Sequence, residues 1–431
     1  MNKYFGSLLL FLAAWLSWSS RASTREAVQI DAQETDRQQI VAVLEKYFDL
    51  RYQSFQNLAL ADFGPVAALE NAGGALASEL EKLTLELEHA RVFRLAYQQH
   101  EYFLDYGSIV IAQDMQRAQV TLSEGHDVVF EVAAPTVSSL RNLVHEIKLV
   151  NVGGEWKIVS DRYDDYLWRW LKTSRQSAAE LQKTLPALQV PDAFPDAGGH
   201  PALPNVEAIR YDRRGAVAYA HRWSIAPRPY NAAYTDFTDL GGDCTNFVSQ
   251  AIFEGGGIEM IFGGVHGIGT AGWYYEDIND RAIAWTWVDG LYNFIVHEHV
   301  FWGNRFIGYE TDGRHALAGD ILQFNWGSDT VWDHSVLTVS SSEADPEDPM
   351  HLVAGHSPDV DHYPYTTMVY SPDFRFIHIF SAETQSIVEN SVPTPVVAAT
   401  ATPHAHNPVT VACPMPGQRL KRLCRTLSKP W

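Results

Sequence analysis

Gly241-Gly242-Asp243-Cys244-Thr245-Asn246-Phe247-Val248-Ser249-Gln250 decides how the second half of this chain reads. Gly-Gly marks a turn, and Asp243 is of the type that caps helices. Phe247, Val248, Ala251 and Ile252 share one helical face before Gly255-Gly256-Gly257 stops it. The spacing predicts a helix with Cys244 at its N-terminus. There the helix dipole and free backbone N–H groups favour a thiolate, and the same groups can receive an oxyanion. Placement alone leaves a small buried cysteine equally open, because free cysteine is among the most buried residue types.

A histidine downstream moves the balance. Ala318-Gly319-Asp320-Ile321-Leu322-Gln323-Phe324 reads as a turn into a buried strand, and Trp332-Asp333-His334-Ser335-Val336-Leu337-Thr338-Val339 opens a second. A third, His351-Leu352-Val353-Ala354-Gly355-His356, ends in another polar residue. Period-two alternation sets His334, Val336 and Thr338 on one face and Leu352, Ala354 and His356 on one face of the next strand. If the strands pair, His356 reaches His334 and orients its ring. The expectation is a triad of Cys244, His334 and His356 in the roles of nucleophile, base and orienter.

These blocks, with Tyr211-Asp212-Arg213-Arg214-Gly215-Ala216-Val217-Ala218-Tyr219-Ala220 before them and Gly272-Trp273-Tyr274-Tyr275 between them, resemble the "putative amidase domain" family of bacterial secreted proteins. That family is similar to the NlpC/P60 and CHAP cysteine peptidases. The resemblance spans about residues 207–383 and implies a papain-like α+β fold. It implies amide hydrolysis with Cys244 as nucleophile and His334 as general base, on peptidoglycan stem peptides or other extracellular peptides. Thr245-Asn246 stands where NlpC/P60 relatives usually carry Ser-Gly, a difference that bears on substrate choice. Asp243 either binds a substrate amine, as in those relatives, or caps the helix. Trp273 and Tyr274 wall a substrate cleft or pack the core. Asn246 and Gln250 read as structural hydrogen-bonding residues. Two other functions fit the same residues: a catalytically inactive cell-wall or peptide-binding module, and transglutaminase-like acyl transfer to an amine. No cofactor is implied.

Outward from this half, residues 34–92 carry apolar residues at three-and-four spacing (Ile40, Val43, Leu44, Tyr47, Phe48; Leu76, Leu80, Leu83, Leu87) and read as helices. From Tyr102 to Ser160 the period becomes that of strands, and Asn151-Val152-Gly153-Gly154 joins the last two as a hairpin. Helices followed by an antiparallel meander make a small α+β domain at 34–171, similar in element order to the cystatin-like or NTF2-like cone. His145, on an apolar strand of that domain, reads as a core histidine. Residues 172–204, with Pro186, Pro191, Pro195, Pro201 and Pro204, read as a linker that leaves the two parts loosely coupled, so that 205–383 would work alone. Residues 384–431 read as a low-complexity tail in which Cys413 and Cys424 can pair. Residues 1–22, with Lys3, the apolar run Leu8–Leu16, and Ser20 and Ala22, read as a secretory signal peptide. The protein is therefore expected outside the cytoplasm, without a transmembrane segment in its mature chain.

Composition narrows the partners. The chain has 431 residues, 46% of them hydrophobic, enough for a sizeable core. Acids outnumber bases 52 to 32, and this negative field opposes a polyanion, which argues against nucleic acid. Three cysteines make neither a disulfide framework nor a CxxC metal site. His356, Asp359, Asp361 and His362 are metal-compatible types, but no regular loop pattern orders them and no metal is assigned.

Overall fold

The structure, a computed structural model, describes residues 34–68, 75–174, 178–185, 209–228, 230–298, 306–327, 329–342, 350–381 and 419–424. Residues 1–22, read above as a signal peptide, most of the Pro-rich segment, Cys413 and most of the tail lie outside these residues.

Helices α1 (34–57) and α2 (Ala75–Val92) present the spaced apolar residues to the core: Ile40, Leu44, Tyr47, Phe48, Leu76, Leu83 and Leu87 are all buried. They lie on a meander of long strands, β1 (Tyr97–Ile111), β2 (Arg117–Phe130), β3 (Ser138–Val152) and β4 (Glu155–Arg162). Sequence reading finds only the apolar stretches of these strands. The polar stretches continue the ladder because β1 and β2 pair from Tyr97↔Phe130 to Ile111↔Ala118. Two short helices follow, α3 (Tyr166–Ser174) and α4 (Ala178–Thr184).

The second half opens with α5 (Arg213–Trp223) and α6 (Cys244–Gln250), the latter prolonged as a π-helix over Ala251–Gly255. A Cβ on Gly215 or on Gly255 would collide with the other's backbone, so the two helices cross at a contact that only glycine permits. Behind them stand β5 (Gly308–Thr311), β6 (Ile321–Phe324), β7 (His334–Ser342), β8 (Met350–Gly355), β9 (Asp359–Pro364) and β10 (Phe374–Ile379). Arg213 of α5 anchors this sheet. Its guanidinium pairs with the buried Asp320 at 2.5 Å, and Asp320 also accepts from the backbone N–H groups of Leu317 and Ile379.

The two halves share one sheet. Its order is β5-β10-β6-β7-β8-β9-β3-β2-β1-β11, with β4 on β3, and every ladder in it is antiparallel. The bridge is β9 on β3, at Asp359↔Arg141, Val360↔Leu140 and Asp361↔Ser139. One hydrophobic cluster runs from Ile40 to Ile379. The loose coupling expected from the Pro-rich segment is thus not found: ladder hydrogen bonds and a common core join the halves. Within the tail, Arg419–Cys424 forms β11 against β1. The fold class is mixed α+β with a large antiparallel sheet, and no described helix is long and apolar enough to cross a membrane.

Candidate functional site

Cys244 is the first residue of α6. The glycines before it make the turn, with Gly241 and Gly242 both at positive φ near 120°. Behind it Phe247, Val248, Ala251 and Ile252 are fully buried, as their spacing predicts. His334 is the first residue of β7. Helix α6 packs on β7. The backbone N–H of Ser335 faces the Cys244 sulfur, and the Thr245 hydroxyl donates to Ser335 Oγ at 3.1 Å.

Both groups are covered. His334 is fully buried, and Cys244 is 8% exposed. The cover comes from the first half: Tyr166 of α3 lies edge-on to the His334 ring at 5.4 Å, and Arg169 of α3 exerts its positive charge on both side chains. Trp326 stacks on the imidazole at 5.3 Å and lies 5.9 Å from the Tyr166 ring. Helix α3 is held by Asp165, which caps it through the Trp168 N–H and accepts from the buried Lys82 at 2.5 Å.

Burial sets the electrostatics. It pushes the Cys244 thiol up, against the Ser335 N–H and the Thr245 hydroxyl, which favour the thiolate. It pushes His334 down to about 3, helped by Arg169, so the imidazole is neutral above that pH. Among the described residues neither ring nitrogen of His334 has a hydrogen-bond partner, Cys244 included, and the Tyr166 hydroxyl is likewise buried and unpartnered. A buried polar atom left unpaired costs on the order of 1–3 kcal/mol, so native structures keep few of them.

The expected third member is elsewhere. His356 Nδ1 donates to Asp243 at 2.6 Å and Nε2 donates to the Trp223 carbonyl at 3.0 Å, while Tyr230 stacks on the ring at 3.7 Å. Both partners are acceptors, so the ring carries two protons. Burial alone would lower its pKa, but Asp243, Asp359 and the Trp223 carbonyl outweigh it and raise it. The reason is register. Leu337 pairs with Ala354, which carried two residues on sets His356 opposite Ser335. Side chains alternate along a strand, so that pairing puts His356 on the face opposite His334. Asp359, the other polar residue near the end of this strand, is bound to Tyr230 and Asn142.

The substrate-binding candidates are also structural. Asp243 makes no side-chain cap on α6 and is almost wholly buried. Its carboxylate takes the Phe237 N–H, the Asn246 amide and His356. Trp273 is buried against Trp285 and Phe306 and donates to Ser249. Tyr274 is buried, donating to Val265 and Asp280. Neither walls an open cleft. Asn246 and Gln250 bond Trp285 and Tyr219, as structural residues do. A cavity of about 130 Å³, of which Cys244 is not a lining residue, lies between the first-half sheet and helices and second-half residues such as Pro358 and Tyr370. Glu86, Glu124, Tyr166 and Tyr363 line part of it, and burial pushes the Glu86 carboxyl up to about 8.

Sequence reading missed Tyr166 and Arg169. The available signal was the run Tyr163-Asp164-Asp165-Tyr166-Leu167-Trp168-Arg169-Trp170, too aromatic for the edge of a linker.

A family model described as "Putative amidase domain" matches residues 210–379, the part of the chain that holds Cys244 and His334. The match suggests hydrolysis of amide bonds. "Uncharacterized protein YhbB" of Bacillus subtilis (strain 168) is 26% identical over 184 residues, 41% of this chain. The chain spans about half the length of that relative, 53%. Among solved structures, the Kfla4162 protein from Kribbella flavida is similar over 30% of this chain and 90% of its own, at 17% identity and a TM-score of 0.21. The intermembrane space region of chloroplast protein ARC6 is similar over 28% of this chain and 91% of its own, at 14% identity and a TM-score of 0.19.

Proposed function

We propose that this protein is an exported cysteine-dependent amide hydrolase, papain-like and akin to the NlpC/P60 and CHAP peptidases, acting on peptidoglycan stem peptides or similar peptides. The observation that carries the proposal is the orphaned imidazole. His334 is fully buried with both nitrogens unpaired, one residue from the Ser335 N–H that faces the Cys244 sulfur. Such a cost is tolerated where a reaction uses the group. His334 takes the Cys244 proton, the thiolate attacks the amide carbonyl, and the Cys244 N–H at the start of α6 helps hold the oxyanion. His334 then protonates the leaving amine, and water releases the acyl group. Because α3 covers both side chains, substrate entry requires α3 to shift, so the first half governs access. Export is supported by the apolar run at 8–16 and the small residues after it.

A second reading, an inactive binding module, is favoured by one fact: His334 makes no hydrogen bond to the sulfur. Incubation of the protein with a peptidoglycan digest, followed by mass analysis, separates the two. Hydrolysis is expected to yield new amine and carboxylate termini, and Cys244→Ala and His334→Ala are each expected to abolish them. Binding without any new terminus, or turnover that survives Cys244→Ala, overturns the proposal.

A further inference from the structure

Apart from the residues around Cys244, one ring nitrogen each of His221 and His362 and a carboxylate oxygen of Asp361 lie within 4.8 Å of one another. His221 stands in the last turn of α5, and Asp361 and His362 are neighbours on β9. Consecutive strand residues ordinarily point to opposite faces. Here they converge, because β9 carries an extra residue at this point. Val353 of β8 pairs with Tyr363 and Gly355 with Val360, so Asp361 and His362 together oppose Ala354. This is a β-bulge, which re-aims side chains. His362 completes the turn by adopting a φ of 51°, a left-handed conformation that costs a non-glycine residue on the order of 1 kcal/mol. The Ser138 hydroxyl holds it there, donating to the His362 carbonyl at 2.6 Å.

We propose that His221, Asp361 and His362 bind one divalent transition-metal ion, with Zn²⁺ the best match to two imidazoles and a carboxylate. Around a tetrahedral Zn²⁺, ligand atoms stand about 3.4 Å apart. Asp361 Oδ1 is 2.8 Å from His221 Nδ1 and 3.3 Å from His362 Nδ1; the stacked rings must turn out of parallel for both in-plane lone pairs to meet one ion, and their partial exposure leaves room for that rotation. The two rings are parallel, 4.3 Å between centroids, and each side chain is about a third exposed, which leaves the fourth position to water. The ion pins the end of α5 to β9 beside the β9–β3 ladder that joins the halves. Two residues on, the Trp223 carbonyl holds His356, and His356 holds Asp243 beside Cys244. The site is a structural clamp with a route to the cysteine, and it stands whether or not the chain hydrolyses amides.

The test is Co²⁺ and Zn²⁺ titration of the full chain, without a histidine tag, after chelator dialysis. One equivalent of Co²⁺ is expected to give visible ligand-field bands that Zn²⁺ displaces, and Zn²⁺ is expected to raise the melting temperature. His221→Ala and His362→Gly should each remove the bands and weaken Zn²⁺ binding by at least about 100-fold. His362→Gly also relieves the positive φ, so it should fold at least as stably as the native chain without metal. Absence of the bands in the native chain overturns the proposal. So do bands that persist in both variants, or bands lost only on Cys244→Ala.

Discussion

Cys244 stands where backbone N–H groups favour an anion, yet its thiol is pushed up, because burial under α3 outweighs the helix end. The neighbouring imidazole is neutral above about pH 3, so at neutral pH the pair rests as thiol and free base. Slow alkylation of Cys244 by iodoacetamide at pH 7 is therefore expected, the opposite of what a helix N-terminus alone suggests. Tyr166→Ala should speed it at least tenfold by opening the cover. Equal rates in the two proteins, at equal stability, would remove α3 from the argument. The same residues set a pH profile. His334, and His89 with a value near 4, bind fewer protons folded than unfolded between their lowered values and the ordinary 6.5. Their stability is complete above 6.5 and is lost as pH falls towards 3. His145 has the other sign: burial acts against its charge, but Asp161 and Glu124 outweigh it and raise it to about 9. Its stability is complete below 6.5 and is lost as pH rises through 9. Each group contributes a slope of at most about 1.4 kcal/mol per pH unit. Melting is expected to peak near pH 6.5, and His145→Gln should flatten the alkaline limb. A limb unchanged in that variant would count against the assignment.

Among the elements, α1, α2 and α6 were legible from three-and-four spacing, because each lays one apolar stripe on the core. The strand stretches that were legible were those whose apolar alternation survives. Their polar continuations were not, since ladder hydrogen bonds, indifferent to side chain, prolong β1–β3. Cys244 and His334 were legible because a helix start and a strand start are written locally. His356 was misassigned because facing depends on register, and register is set by pairings between distant segments. The structure makes it half of a buried ion pair with Asp243, both about 1% exposed. His356→Ala leaves the Asp243 carboxylate short of a partner in the interior. A stability loss of about 3–5 kcal/mol is expected in denaturant unfolding. Activity per folded molecule should fall less than in His334→Ala. Native stability in the variant would show that this pair does not brace the turn before Cys244.

Across the described residues both halves share one large sheet and one core, and cover on the candidate site is contributed by the half that sequence reading set apart. The Pro-rich segment suggested separable parts because linkers are recognised by composition, whereas contacts between parts are invisible to it. A fragment of residues 209–381 tests which view holds. Removing the first half strips β3 from β9 and leaves Asp359–Pro364 as an open edge with unpaired backbone groups. It also uncovers Tyr363, which bonds His126, and Tyr370, which stacks on His89 at 4.5 Å. Tyr166 leaves the face of His334 as well. An edge strand beside a fresh aromatic patch promotes association between copies. The fragment is expected to aggregate, or to melt without a cooperative transition, in size-exclusion and calorimetric measurements. Addition of residues 34–185 as a separate chain should restore solubility if the β3–β9 ladder is what it lacks. A monomeric fragment that melts cooperatively and hydrolyses small amides as fast as the full chain would show that the shared sheet is dispensable. An active but aggregating fragment would instead separate the two roles of the first half: the ladder would be needed for folding, and α3 only for access to Cys244.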